Sequence, residues 1–223
     1  LLRRGALFGA ALLLAALLGG GVTHAMGDWQ EVESEPGDVT GYVLSRRPAA
    51  REGTWTYRLV TRVGGPPERV ARASLLVLTD DRYVPEGQRR TTLVEREGEV
   101  INHLLIDLPL AADRDVTNRV VIDGASPDGV HRLRWNALRG VGPDPQPDVV
   151  RIPWLRGSFA FDRAGGDTTE VVYEMEVDLG GRLPAALVRS FLPSQMKAQI
   201  HVLREALAEL RAVENSTREA NQS

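Results

Sequence analysis

The chain has 223 residues, of which 43% are hydrophobic, 26% charged and 5% aromatic, with 27 basic and 30 acidic side chains. This balance is typical of a globular protein and argues against disorder or fibrous repeats. The formal charge of −3 gives no cationic field that would gather phosphates, so nucleic acid is not expected as a partner. The lack of cysteine excludes disulfides, thiol nucleophiles and cysteine-bound metal clusters.

Residues 1–25 have the composition of a secretory signal peptide. Arg3 and Arg4 precede an uncharged apolar stretch over residues 6–18, and glycines and small residues follow up to Ala25. This order is typical of an export signal, and the stretch is shorter than the roughly 20 apolar residues of a membrane span. We expect cleavage after Ala25 and an exported protein, periplasmic or secreted; the alternative is that the segment stays as an anchor.

The elements that follow alternate in type. Residues 29–43 are mixed polar, and we expect a short helix or turn there, leading into an edge strand. Residues 55–63 alternate apolar and polar side chains, which predicts a half-buried strand. Pro67 then begins a segment with apolar residues at helical spacing and an acidic first turn, which predicts a helix that ends by Asp80.

Six further strands are predicted, separated by short turns. They cover residues 91–96, 100–108, 116–122, 130–138, 149–162 and 168–178. A parallel neighbour would need a crossover of a dozen or more residues, so these short reversals predict an antiparallel meander. In the last strand, apolar residues alternate with acidic ones, which gives the sheet one dry and one wet face.

A long amphipathic helix is predicted from Pro184 to Val213. Its apolar side chains recur every three to five residues and form one stripe, and Pro193 predicts a kink or a restart. A sheet with one dry face needs a cover, so we expect an α+β fold in which this helix packs on the sheet. The polar residues 214–223 are expected to form a disordered tail.

Three strings of sequence resemble, in order and spacing, the signature of START lipid-binding domains. They are Leu108-Pro109-Leu110-Ala111-Ala112-Asp113-Arg114-Asp115-Val116; Gly157-Ser158-Phe159 followed by Thr168-Thr169-Glu170-Val171-Val172-Tyr173; and Asp178-Leu179-Gly180-Gly181-Arg182-Leu183-Pro184. The resemblance covers residues 29–213. It departs from the family at Phe159, where tryptophan is frequent, and at Leu104, Leu105 and Ile106, where sterol-binding relatives place a buried acid.

The resemblance implies one domain over residues 26–213 with the helix-grip fold. In that fold a curved antiparallel sheet wraps around a long C-terminal helix and encloses a hydrophobic cavity that holds one lipid or similar molecule. Members of the family bind, shuttle or sense apolar ligands, and the wider superfamily also contains cyclases and aromatases. We expect ligand exchange to be gated by movement of the C-terminal helix near Pro193 or of the 140–148 loop.

Eight residues are candidates for ligand contact. They are Arg114, Asn118, Trp135, Phe159, Tyr173, Met175, Phe191 and Met196. Strand parity places Arg114 and Asn118 on one face, where two polar groups in an apolar cavity would orient a head group. The alternatives are that Arg114 is paired with an aspartate or a carbonyl, and that the aromatic and methionine side chains are ordinary core.

The resulting hypothesis is a monomeric carrier of a lipid or other hydrophobic molecule, with transient membrane contact. No zinc-protease, nucleophile-elbow, P-loop or dinucleotide motif occurs, so we predict neither an enzyme nor a cofactor or metal. Two alternatives stay open: a cyclase- or aromatase-type enzyme that uses the same cavity, and a protein-interaction module that retains the fold.

Overall fold

The computed structural model describes residues 28–123 and 131–220, so the predicted signal peptide lies outside the described residues. The described strands are β1 Gln30–Glu35, β2 Tyr42–Pro48, β3 Trp55–Gly64, β4 Gln88–Arg96, β5 Glu99–Ile106, β6 Asp113–Asp123, β7 His131–Leu138, β8 Val149–Arg151, β9 Trp154–Gly165 and β10 Thr168–Asp178. The described helices are α1 Pro67–Thr79 and α2 Ala185–Ala220, with a 3-10 turn at Asp81–Tyr83. The predicted α+β class is confirmed.

Nine of the described strands form one continuous antiparallel sheet. Their order is β1-β2-β3-β10-β9-β7-β6-β5-β4, so β10 and β9 lie near the middle and β1 and β4 at the edges. The central β10 pairs with β3 from Thr168 to Glu176 and with β9 along its whole length. Alternate side chains of β10 point to opposite faces of the sheet, and one face packs on the core, which explains the clear alternation in this strand.

The prediction of a wholly antiparallel meander is wrong at β8. This short strand pairs in parallel with the start of β6, with Asp113 opposite Val149. The long connection over residues 139–148 carries the chain back in the same direction, which a tight turn would not do. Pro153 then separates β8 from β9 and divides the strand predicted over residues 149–162, because proline cannot donate to the ladder.

The short helix or turn predicted within residues 29–43 is also wrong. Residues Gln30–Glu35 form β1, which pairs with β2. The strand is held to α2 by Lys197, whose ammonium lies 2.9 Å from both carboxylate oxygens of Glu33. An edge strand exposes most of its side chains, so it lacks the alternation by which a half-buried strand is recognised.

Helix α1 begins and ends close to the predicted residues. Pro66 is the N-cap and Pro67 the first helical residue, where a missing N–H costs nothing. Val70, Ala73 and Val77 are buried on the face that packs into the core. The helix lies against α2, and its carbonyl end points into the region where β4 and β5 meet α2.

Helix α2 continues to Ala220, so the disordered tail predicted from residue 214 is wrong for the described residues 214–220. Arg69 and Arg72 of α1 lie 3.0 and 3.3 Å from the carboxylate of Glu214, which ties the extension to α1. Pro193 lies inside the helix without ending it. Among the described residues, no helix combines the length and the hydropathy that crossing a bilayer requires.

The main core lies between the sheet and α2. Met196, Ile200, Leu203 and Leu207 form the buried stripe of α2. They belong to the same cluster as the buried sheet residues, such as Phe161. The predicted packing of the C-terminal helix on the dry face of the sheet is therefore confirmed.

Candidate ligand-binding cavity

An inner cavity of about 80 Å³ lies between the sheet and α2. Strands β4, β5, β6, β7, β9 and β10 and both helices contribute side chains to its wall. Most of the wall is apolar and includes Leu104, Val120, Leu155, Val177 and Leu192. The arrangement is an apolar chamber with a few polar groups, which is the usual composition of a site for a small hydrophobic ligand.

Five of the eight predicted contact residues line the inner cavity. They are Asn118, Trp135, Tyr173, Met175 and Phe191. Trp135 faces Gly157 across the β7–β9 pair, and a Cβ added at Gly157 would lie 2.2 Å from the indole. Glycine at this position therefore allows the indole to approach the neighbouring strand closely.

Phe159 and Met196 lie behind the wall rather than in it. Both are fully buried, and neither lines the inner cavity. The ring centre of Phe159 is 4.6 Å from that of Tyr173 and 5.3 Å from that of Trp135. Phe159 therefore supports the two rings that do reach the cavity. Alternation in the sequence shows which side chains face the core, but it does not distinguish those that line the cavity from those packed behind them.

The placement of Arg114 in the cavity is wrong. Its side chain is 2% exposed, and it bonds backbone carbonyls instead. Nε donates to the carbonyl oxygen of Leu179 at 2.8 Å, Nη2 donates to that of Gly180 at 3.2 Å, and Nη1 donates to that of Ala112. Burial lowers the pKa of Arg114, and the charge of Asp113 partly opposes that shift. The residue fastens the start of β6 to the connection between β10 and α2.

A group of polar residues on one side of the cavity was missed. It consists of Gln88, Arg90, Asn102, Gln195 and Gln199. Arg90, Asn102 and Gln199 donate to carbonyl oxygens at the end of α1. Gln88 on β4 donates to Gln195 on α2 and closes the sheet edge against the helix. Two spacings in the sequence could have indicated this group. Gln88 and Arg90 are two residues apart on β4 and share a strand face, and Gln195 and Gln199 are four residues apart on α2 and share a helix face.

Arg90 occupies the end of α1. Its guanidinium donates to the carbonyl oxygens of Asp80 at 2.9 Å and Val77 at 3.0 Å. Burial lowers the pKa of Arg90 to about 10, with the nearby charges of Asp81 and Asp80 acting in the other direction. The side chain stays protonated at neutral pH and neutralises the negative end of the helix dipole.

The two asparagines of the cavity wall are partnered differently. Asn102 and Asn118 lie directly opposite each other on β5 and β6. Asn102 donates from Nδ2 to the carbonyl oxygen of Leu78 at 2.8 Å. The Oδ1 atom of Asn118 is buried and has no hydrogen-bond partner in the described part of the chain. A buried acceptor normally has a partner, and Asn118 is a lining residue of the cavity.

Tyr173 is the other polar group that reaches the cavity wall from the centre of the sheet. Its hydroxyl lies 3.5 Å from the sulfur of Met175. Burial raises the pKa of the phenol well above its usual value, so the ring stays neutral. No group of three metal-ligating side chains is found among residues 28–123 and 131–220.

Asp115, which follows Arg114, joins three elements outside the cavity. Its carboxylate lies 3.0 Å from Nε2 of His103 and 2.5 Å from Nη2 of Arg151. Arg151 also donates to the carbonyl oxygen of Pro143, so the ion pair fixes the 139–148 loop. Burial would raise the pKa of Asp115, but the bonds from Arg151 and His103 leave the pKa below its ordinary value.

Replacing Asp115 by asparagine is expected to lower the free energy of unfolding by about 2 kcal/mol at pH 7, because a charge-assisted pair is lost. The depressed pKa stabilises the fold above the unfolded-state pKa, about 3.9, and this gain is lost as pH falls through the folded-state value. The difference between the two proteins should therefore shrink below about pH 4 in urea titrations. A difference independent of pH would contradict this assignment.

Comparison with known proteins agrees with this architecture. No protein-family model matches the chain. An uncharacterized protein of Pseudomonas aeruginosa is 24% identical over 187 residues, which cover 81% of this chain and 87% of that protein.

Two solved structures show the fold. The STAR-related lipid transfer protein of Xanthomonas axonopodis (fragment 25–204) is similar at a TM-score of 0.67 and 20% identity, over 81% of this chain and 98% of that one. The human StAR-related lipid transfer protein 5 is similar at a TM-score of 0.68 and 20% identity, over 84% of this chain and 90% of that one. The chain therefore has the same fold as these two proteins, the helix-grip fold that the sequence resemblance predicted.

Proposed function

We propose that the protein binds one hydrophobic molecule of lipid type in the inner cavity and carries it through an aqueous compartment. The observation that carries the proposal is a mostly apolar cavity whose lining residue Asn118 has a buried Oδ1 without a hydrogen-bond partner in the described part of the chain. Similarity to proteins named for lipid transfer supports it. The signal-like residues 1–25 favour an exported location, with the protein acting as a monomer that touches membranes only transiently.

The energy of transfer favours such a carrier. Burial of an acyl chain of about 16 carbons is worth on the order of 10 kcal/mol at ~0.8 kcal/mol per CH₂, which competes with a bilayer when the cavity is dry. The inner cavity has about 80 Å³, whereas sites for drug-sized ligands have about 300–1,000 Å³. Loading of a ligand with a chain of that length therefore requires part of the wall to move.

The part of the wall best placed to move is the N-terminal half of α2. Pro193 has no N–H, so the carbonyl of Arg189 lacks its usual partner within the helix. The side chains of Gln88 and Gln195 close the gap between β4 and α2 by a single hydrogen bond. Gln195 lies after Pro193, so a displacement of α2 that extends past Pro193 would break that contact and admit a ligand.

The two asparagines offer a matched pair of substitutions. Asn118→Leu removes an unpaired buried oxygen, so the free energy of unfolding should be unchanged or rise by up to about 1 kcal/mol. Asn102→Leu leaves the carbonyl of Leu78 unpaired and should cost about 1–3 kcal/mol. Under the proposed function, Asn118→Leu nevertheless weakens binding of a ligand that carries a hydroxyl or amide donor. Denaturant titration and ligand titration of both variants check this, and a large stability loss in Asn118→Leu would contradict it.

Extraction from vesicles tests the proposed function. The protein is incubated with vesicles of mixed bacterial lipids, the vesicles are removed by centrifugation, and lipid in the supernatant is quantified per protein. We expect close to one lipid molecule for each protein molecule. Lipid at the level of a protein-free control would contradict the proposal and favour the interaction-module alternative. A bound molecule whose mass changes on incubation would instead favour the cyclase-type alternative.

A further inference from the structure

A second, outer cavity of about 400 Å³ adjoins the inner one at the start of α2. Its apolar wall comes from Trp55 and Tyr57 of β3 and from Leu183 and Val188 beside the first turns of α2. Val177 and Leu192 line both cavities. These two side chains are therefore the partition between the inner and the outer cavity.

Two arginines line the outer cavity and have no acidic partner among the described residues. The guanidinium of Arg46 lies over the Trp55 ring, 4.5 Å from its centre, and Arg189 is an exposed residue of α2. Within residues 28–123 and 131–220, neither makes an ion pair with a carboxylate. The carboxylate of Asp178, the residue after Val177, is bonded to Arg51 at 3.3 Å and to the backbone N–H of Gly180 at 3.0 Å.

We infer that the outer cavity binds the anionic head group of a single-chain amphiphile, whose chain passes between Val177 and Leu192 into the inner cavity. This inference rests on the proposed function and adds the ligand class. Guanidinium groups bind carboxylates and phosphates with two parallel hydrogen bonds, and the indole and phenol rings of Trp55 and Tyr57 supply an apolar wall for the first carbons.

The dimensions fit this ligand class. The outer cavity alone falls within the range of about 300–1,000 Å³ that ligand sites occupy, and the inner cavity alone falls below it. Displacement of the Leu192 side chain would join the two into one elongated chamber that is charged at its mouth and apolar at its end. Leu192 directly precedes Pro193, so movement of the helix about that residue would also open the partition.

The test compares three probes with the same chain: dodecanoate, dodecyl phosphate and dodecan-1-ol, each titrated below its micelle concentration by calorimetry. We expect the two anions to bind about tenfold more tightly than the alcohol, since two guanidinium groups attract the anion while solvent screens each ion pair. The double variant Arg46→Gln/Arg189→Gln should lose this preference and still bind the alcohol. The control Arg163→Gln/Arg218→Gln removes the same charge at exposed positions outside both cavities and should keep the preference.

The outcomes separate the two claims. Equal binding of the anions and the alcohol by the wild-type protein, or an unchanged preference in the Arg46→Gln/Arg189→Gln protein, would overturn the inference and leave the proposed function standing. Failure of all three probes would count against the proposed function and this inference together. A stronger affinity for the phosphate would assign a phospholipid-type head group, and a stronger affinity for the carboxylate a fatty acid.

Discussion

Replacing Arg114 by leucine is expected to lower the free energy of unfolding by about 3–5 kcal/mol, because several buried carbonyl oxygens would lose their donor at once. The carbonyls of Leu179, Gly180 and Ala112 all accept from this guanidinium. For a domain of this size the loss corresponds to a fall of roughly 10 °C in the midpoint of thermal unfolding. Differential scanning calorimetry measures both quantities.

A neighbour on the same strand supplies the control. Arg119 is exposed on β6 and pairs with Glu99 at 2.7 Å, so Arg119→Leu should cost less than about 1 kcal/mol. Arg114→Lys keeps the charge but replaces the planar guanidinium, which reaches three carbonyls, by a single ammonium group. Its stability should therefore lie between those of Arg114→Leu and Arg119→Leu. Equal stability of Arg114→Leu and Arg119→Leu would show that the carbonyl contacts contribute little.

Cross-linking α2 to the edge of the sheet is expected to stop ligand exchange. The chain has no cysteine, so Gln88→Cys/Gln195→Cys introduces two unique thiols on side chains that bond across the β4–α2 gap. A short, reducible bis-thiol reagent would hold the gap closed. If movement of α2 admits the ligand, transfer of a fluorescent lipid between vesicles should fall to the protein-free rate.

Reduction of the reagent provides the matched control, because the same double variant should then transfer lipid again. Labelling of the two single variants controls for blocking of the cavity by the reagent itself. Undiminished transfer by the cross-linked protein would exclude the β4–α2 gap as the route of entry. The segment of α2 before Pro193, which borders the outer cavity, and the 140–148 loop would then be the remaining candidate gates.

The sequence predicted the parts of the fold that repeat a burial pattern. Alternation along β3 and β10 marked half-buried strands, and the three-to-five residue spacing of Met196, Ile200 and Leu203 marked the buried face of α2. Alternation also brought Asn118, Trp135 and Tyr173 to one face. These predictions succeeded because an element with one buried and one exposed face repeats apolar residues at the period of a strand or a helix, and that period is visible in a single sequence.

The sequence could not predict contacts between segments distant along the chain. Two of the carbonyl partners of Arg114 lie at residues 179 and 180, and parity alone allowed its side chain to face the cavity. The polar side of the cavity depends on where the end of α1 meets β4, which no local pattern encodes. The extension of α2 past residue 213 likewise depends on Arg69 and Arg72 of α1, which bind Glu214.

The central claim is that the inner cavity, with Asn118 in its wall, holds one hydrophobic molecule. Native mass spectrometry of the full chain, expressed with its residues 1–25 and purified without detergent, tests it most directly when followed by solvent extraction and lipid identification. The account predicts a discrete one-to-one adduct whose extracted component is an amphiphile. A protein mass without adduct, unchanged after exposure to mixed lipids, would contradict the account.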